Sequence, residues 1–244
     1  MLKVILAFHS SILHQYGGIE VYIHEFAKHL IKNGVKAKII TSAINDDKER
    51  IIYDGVVYEF IKPGIPITAK NSLLYDIPKY HFQALLFYLK LKERLKKEKF
   101  DILHGFSSSP YPFYLRYQSR KPVVVQPFSA YVESTSKIRN VLKQITIDRI
   151  LKIVLTKADA IAVEGRIQAK EIHEKFKIPM QKFFYLPDGI DISKVEEYIS
   201  NLSISREDIG ADDADILLIC ISRLVKSKGV NYLIDALAII NRHI

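Results

Sequence analysis

Short apolar runs alternate along this chain with longer stretches of helical spacing. Residues 4–8 are continuously apolar and predict a strand. Residues 20–32 follow, with Val21, Ile23, Phe26, Ala27, Leu30 and Ile31 at helical intervals, and Asn33-Gly34 supplies the usual stop. Further strands are predicted at 36–41, 56–61, 101–104, 122–126, 158–163 and 182–186. Residues 45–50 read as polar loop and 63–66, bounded by prolines, as a turn. Helices are predicted over 73–97 with an interruption near Pro78, over 134–157, and over 165–176. Strands alternating with helices imply an α/β fold: a doubly wound, Rossmann-like parallel sheet covered on both faces. Such a sheet places its ligand crevice beyond the carboxyl ends of the strands.

The pattern changes after Pro187. Residues 188–191 are a turn, 195–202 a short amphipathic piece and 203–215 a polar, acidic stretch. A new apolar strand is predicted at 216–221, then a loop and a helix beginning near Gly229. The expected organisation is an N-terminal domain over 1–190, a linker over 191–215, and the first βα unit of an incomplete second α/β domain over 216–244. One βα unit cannot bury its own apolar faces. It either packs back on the first domain or belongs to something longer.

Composition adds a few constraints. The chain is 48% apolar and 11% aromatic, which permits a large core and argues against disorder. The single cysteine, Cys220, excludes an intrachain disulfide and a cysteine-cluster metal site, and it reads as a small buried hydrophobe in the 216–221 strand. No stretch approaches the roughly 20 apolar residues of a membrane span. Residues 1–8 lack the long apolar region and cleavage site of a signal peptide, so a cytoplasmic location is expected. The net charge of +9 favours anionic partners, and basic residues concentrate at 90–99 and 137–157. The first of these runs reads foremost as the solvated face of a helix. Abundant Ile and Lys with scarce Gln hint at a heat-adapted source.

Three motifs carry candidate chemistry. His14-Gln15-Tyr16-Gly17-Gly18-Ile19-Glu20 joins the first strand to the first helix. Glycines there let a ligand approach the backbone, and a helix N-terminus favours anions. Taken alone, the pair reads equally well as a tight turn. It is not the Gly-x-Gly-x-x-Gly fingerprint of dinucleotide binding. Ser222-Arg223-Leu224-Val225-Lys226-Ser227-Lys228-Gly229 places a guanidinium and ammonium groups just ahead of a helix, a set able to neutralise a pyrophosphate. Leu186-Pro187-Asp188-Gly189-Ile190-Asp191 is a turn with an acidic exit. Glu20 and Glu25 sit where a base would be useful, although carboxylates at a helix start usually serve the dipole. The histidines His9, His24, His29, His81, His173 and His243 show no metal-ligand spacing beside suitable carboxylates, so no metal site is expected.

In this order the motifs resemble those of the retaining family 4 glycosyltransferases of GT-B fold, along essentially the whole chain. Gly17, Gly18 and Glu20 match the family's Gly-Gly-x-Glu opening. Asp101-Ile102-Leu103-His104 matches its Asp-x-x-His strand, and Ala158–Val163 its Ala-Asp-x-Ile strand. Residues 186–191 match its interdomain turn with Asp188 in place of Asn, and 222–229 its donor loop with Ser222 in place of Gly. The resemblance implies that Gly17 and Gly18 lie against the donor pyrophosphate or the transferred sugar, and that Arg223 and Lys228 bind that pyrophosphate and stabilise the leaving nucleoside diphosphate. It places Glu20, His104, Phe128, Ser129 and Gly189 near the cleft and names no catalytic residue here. The implied donor is a nucleotide-diphosphate sugar. No metal cofactor is implied. A hexose would pass to a glycan or lipid acceptor with retention at the anomeric carbon, with peripheral membrane contact for a lipid acceptor.

Two departures bear on activity. Phe128, in Gln126-Pro127-Phe128-Ser129, stands where the family often has a histidine, and Phe cannot donate a hydrogen bond. The remainder of the donor domain, with its two-glutamate segment, is absent from the sequence, so the chain alone is expected to bind nucleotide-sugar poorly and to transfer sugar at no useful rate. The alternative is a non-catalytic glycosyltransferase-like binding or regulatory subunit. No nucleic-acid motif is present, so nucleic acid is not an expected partner.

Overall fold

The computed structural model describes residues 1–44, 48–62, 76–107, 121–128, 147–212, 216–222, 224 and 228–240, with side chains of 76–85 and 147 left aside. The chain forms two compact units, Met1–Gly189 and Ile190–Ile244.

The first unit is built on an eight-stranded sheet. Its elements are β1 (Lys3–Ala7), α1 (Gly18–Lys32), β2 (Lys36–Ser42), β3 (Arg50–Tyr53), β4 (Val56–Ile61), α2 (Asp76–Lys97), β5 (Ile102–Phe106), β6 (Val123–Gln126), α3 (Ile147–Lys157), β7 (Ala160–Val163), α4 (Arg166–Phe176) and β8 (Phe183–Tyr185). The strand order is β3-β4-β2-β1-β5-β6-β7-β8, and every pairing is parallel except β3 with β4. The chain runs outward from β1 through β2 and β4, then returns to the other side of β1 as β5. The topological switch point therefore lies between β1 and β5, where such sheets bind ligands. The doubly wound parallel sheet expected from the sequence is present.

Alternate side chains of each strand supply opposite faces, so a strand covered on both sides must be apolar throughout. Ile5 and Ala7 of β1 and Ile40 of β2 join one core with Phe87, Leu91 and Leu95 of α2, Leu151 and Leu155 of α3, and Ala169 and Ile172 of α4. Val4, Leu6 and Phe8 join the other, with Ile23 and Ala27 of α1, Ile39, Tyr58, Phe106 and Phe128. Helix α1 ends at Asn33, where Gly34 takes the left-handed φ of 78° and the Val35 N–H donates to the Leu30 carbonyl at 3.0 Å. A ring of charges ties the end of α2 to the sheet. Lys38 pairs with Glu59 at 2.9 Å and Glu98 at 2.7 Å, and Arg94 pairs with Glu59 at 2.7 Å and Glu98 at 2.9 Å. Part of the basic run at 90–99 is thus structural, while Lys90, Lys96, Lys97 and Lys99 are solvated as expected.

Four differences from the sequence expectation have physical reasons. Arg50, expected in the polar loop, begins β3, which folds back on β4 through Asp54 and Gly55, both left-handed at φ 46° and 77°. Those angles make the two-residue hairpin turn that an Asp-Gly pair favours. Pro78 does not interrupt a helix, because α2 starts at Asp76 and leaves Pro78 in the first turn, where its missing N–H has no partner to lose. The predicted strand at 216–221 is not a strand: among the described residues of the second unit nothing pairs with it, and Ile216, Ile219 and Ile221 are exposed. Cys220, expected to be buried, is exposed with them. The turn at 63–66 and residues 134–146 of the long predicted helix lie outside the described residues.

The second unit holds α5 (Ile192–Ser200), a 3₁₀ turn (Glu207–Ile209) and α6 (Val230–Ile240). Asp191 caps α5 by accepting from the Lys194 N–H at 3.3 Å. Helix α6 follows Gly229 as the sequence predicts.

Candidate functional site

The loop from β1 to α1 leaves the sheet at the switch point and is held by Ser42 at the end of β2. Ser42, the last residue of β2, donates its hydroxyl to the His9 carbonyl at 2.6 Å. His14 bridges Ser42 Oγ, 3.2 Å from Nε2, and Ser11 Oγ, 2.8 Å from Nδ1. Within the loop, the His14 and Gln15 N–H groups donate to the Ser11 carbonyl at 2.9 and 3.2 Å. Burial, reinforced by neighbouring His14, lowers the His9 pKa to about 4, so that imidazole is neutral at physiological pH.

Gly17 is the N-cap of α1 with an ordinary extended backbone. The buried Glu20 carboxylate lies against it and accepts from Gln15 Nε2 at 2.8 Å. Gly18 differs: it is exposed, and a Cβ added there meets no atom within 4 Å. The first turn of α1 therefore opens on free space at Gly18, while Gly17 is covered by Glu20.

Below this loop lies an aromatic layer. The His104 ring stacks on Phe106 at 4.6 Å, Phe106 on Phe128 at 5.8 Å, and Tyr22 meets Phe128 edge-on at 5.4 Å. Burial lowers the His104 pKa to about 3, leaving the ring neutral. Tyr22 donates to Gln126 Oε1 at 3.3 Å at the end of β6. Ser107 and Phe128, just beyond β5 and β6, take left-handed φ values of 57° and 46°. Strain of this kind at non-glycine residues persists only where surroundings impose it. Here Gln168 of α4 supplies part of that hold. It donates to the Phe128 carbonyl at 3.3 Å and accepts from the Glu164 N–H at 2.6 Å. At the ends of β7 and β8, burial raises the Glu164 pKa, with the Asp188 carboxylate adding to it, and burial raises that of Asp188.

Of the residues expected near the cleft, Gly17, Gly18 and Glu20 meet in one loop. His104 and Phe128 lie in the core beneath, 5% and 6% exposed, where neither presents a group to solvent. Gly189 ends the first unit and is exposed. Lys228 lies in the second unit, exposed, two residues before α6. Arg223 and Ser129 lie outside the described residues. The acidic residues of two matched motifs work at the far, amino end of the sheet. Asp101 accepts from the Lys3 N–H at 2.8 Å, and Asp159 from the Val123 N–H at 2.8 Å, each pinning the start of a neighbouring strand.

Sequence spacing gives no hint of what His14, Ser42 and Gln168 do, because the partners that decide it lie on other elements. The same distance in sequence hides a cluster of His24, Glu25 and Asp54, whose ligand atoms lie within 4.8 Å of one another. Lys28 pairs with both carboxylates of that group, at 3.7 Å from Glu25 and in close contact with Asp54, and so supplies its positive charge.

The sequence profile described as Glycosyltransferase Family 4 matches residues 16–194, well over half of the chain. The chain belongs to glycosyltransferase family 4. An uncharacterized glycosyltransferase of Methanocaldococcus jannaschii is 27% identical over 228 residues, covering 90% of this family 4 chain and 55% of the relative. The chain thus spans about half the length of that curated relative. Two solved structures share the fold. The catalytic domain of starch synthase IV from Arabidopsis thaliana, bound to ADP and acarbose, superposes with a TM-score of 0.63 at 15% identity, over 97% of this chain and 65% of that one. Sucrose-phosphate synthase from Thermosynechococcus elongatus gives 0.59 at 13% identity, over 83% and 53%. The GT-B-type sheet expected from the motifs is the one these structures share.

Proposed function

We propose that the protein carrying this chain is a nucleotide-sugar-dependent glycosyltransferase that transfers a hexose to a glycan or lipid acceptor with retention at the anomeric carbon. The observation that carries the reading is the open first turn of α1 at Gly18, placed at the switch point of a family 4 sheet. Backbone N–H groups at a helix N-terminus favour a diphosphate or sugar hydroxyls. Glu20, covering Gly17, disfavours close anion approach on that side, so Gly18 is the point of contact and the carboxylate is suited to a sugar hydroxyl. Arg223 and Lys228 serve the same donor by neutralising the leaving diphosphate, in place of a metal.

Phe128 does not count against the reading. Its ring fills a gap between Phe106 and Tyr22, so packing accounts for it. The test is transfer by the whole protein. Labelled hexose from nucleoside-diphosphate donors is expected on glycan or lipid acceptors with its anomeric configuration unchanged. An inverted product, or none with any donor, contradicts the proposal.

A further inference from the structure

We infer that His14 is a positioning residue, a strut from β2 that fixes the loop carrying Gly17 and Gly18 in the geometry that receives the donor. The inference rests on the reading of Gly18 as the donor contact. A serine hydroxyl has one proton to give. That of Ser42 goes to the His9 carbonyl at 2.6 Å, so towards His14 Nε2, at 3.2 Å, Ser42 Oγ accepts. The His14 ring therefore carries its proton on Nε2, and its Nδ1 accepts the Ser11 hydroxyl at 2.8 Å. One neutral imidazole thus joins the end of β2 to the first turn of the loop.

The other ties within the loop run through the same residues. The backbone N–H groups of His14 and Gln15 turn on the Ser11 carbonyl, and Gln15 then reaches Glu20 at 2.8 Å, against Gly17. Ser42, His14, Ser11, Gln15 and Glu20 make a continuous relay from strand to helix start. Burial favours the neutral ring; the carbonyls of Ser42 and Ala43 and the Glu20 charge oppose it without overturning the sign. Ser42, His14 and Ser11 each have a structural partner, so none of these three is spare to bind the donor itself. The relay's part is to set where the amides point. A misplacement of about 1 Å in such a site costs of the order of 100-fold in a reaction.

The test uses the whole protein that carries this chain and inorganic pyrophosphate as the probe. Long-range nitrogen–proton NMR of the His14 ring is expected to show the Nε2–H tautomer. The Gly18 amide is followed during pyrophosphate titration for the wild type, His14→Ala, His14→Gln and a core control, Ile172→Val. His14→Ala is expected to weaken pyrophosphate about 10-fold, the loss of one hydrogen bond's worth of order. His14→Gln keeps a donor for Ser42 and is expected within about 3-fold of wild type. Ile172→Val lowers the melting temperature without changing affinity. An Nδ1–H tautomer, or a His14→Ala chain that binds like the control, overturns the positioning role while leaving the donor site intact. A wild-type chain whose Gly18 amide ignores pyrophosphate overturns the donor site itself, and the role of His14 falls with it.

Discussion

The carboxylate of Glu20 lies where a side chain on Gly17 would begin. A Cβ added to Gly17 would overlap Glu20 Oε2 and sit 3.2 Å from Cδ. Gly17 has φ −118°, which any residue adopts, so it is the Glu20 carboxylate and not backbone conformation that an added side chain would have to displace. At Gly18 the situation reverses: nothing among the described residues forbids a side chain. Gly17→Ala is therefore expected to cost about 1–3 kcal/mol, the usual penalty of overpacking, with much of it recovered in the Gly17→Ala/Glu20→Ala double variant. Gly18→Ala is expected to leave stability unchanged or slightly raised, since alanine suits a helix start better, while weakening donor binding. Urea unfolding of the four chains checks the first part. Equal losses for the two single glycine variants would show that Glu20 is not the constraint.

Two histidines, the partly buried His9 and the core ring of His104, make the first unit sensitive to acid. His9 and His104 have pKa values lowered by burial from 6.5 to about 4 and about 3. The unfolded chain takes up these protons first, so acid favours unfolding. Their contribution is complete above pH 6.5 and declines as pH falls towards about 4, His104 continuing towards about 3. Each proton adds a slope of about 1.4 kcal/mol per pH unit in that window. His104→Phe keeps a flat ring against Phe106 and is expected to remove one such slope. Denaturant midpoints between pH 7 and pH 4 measure it, and an unchanged slope would place the lost proton elsewhere.

The charge ring on β2, β4 and α2 gives a carboxylate case of opposite sense. Burial pushes the Glu59 pKa up, but hydrogen bonds from Arg94 and Lys38 outweigh it and hold the group below its ordinary 4.5. The stability this confers is present above pH 4.5 and is lost as pH falls through the lower folded value. Glu59→Gln leaves Lys38 and Arg94 sharing Glu98 alone and is expected to cost about 1–2 kcal/mol at pH 7 and little at pH 3. A cost that persists in acid would show that the ring's charges are not what holds α2.

Phe106 touches His104, Phe8, Tyr22 and Phe128 and has no exposed surface. Phe106→Ala is expected to cost about 3–5 kcal/mol, as for other buried aromatic truncations. The cavity forms directly beneath the strained turns at Ser107 and Phe128, so donor binding is expected to weaken beyond what stability loss alone brings. Calorimetry beside nucleoside-diphosphate titration separates the two effects. An intact affinity in a folded Phe106→Ala chain would show that the aromatic layer does not set the turns.

Much of the first unit was legible because its signals are local. Apolar runs marked β1 and β6, mixed stretches rich in β-branched and aromatic residues marked β2 and β4, and helical spacing with Asn33-Gly34 marked α1 and its end. The hairpin turn at Asp54-Gly55 is an equally local signal, masked because Arg50 follows a polar stretch. The motif matches showed the family but not what each residue does. Asp101 and Asp159 belong to matched motifs yet pin strand starts at the far end of the sheet, and His104 is a core ring. The relay through Ser42, His14 and Glu20 was not legible, since it depends on which strand end lies beside which loop. The apolar run at 216–221 reads as a strand because its residues fit a sheet, but a strand exists only with a neighbour to pair.

The donor site is tested most directly at the Gly18 amide, in a titration of the whole protein with a nucleoside diphosphate, for the wild type and for Arg223→Ala and Lys228→Ala. A saturable shift at Gly18 is predicted, which each cation deletion weakens by about 1.5–3 kcal/mol for a charged hydrogen bond. A Gly18 resonance that stays fixed while the nucleotide binds elsewhere, or binding indifferent to both deletions, would contradict it.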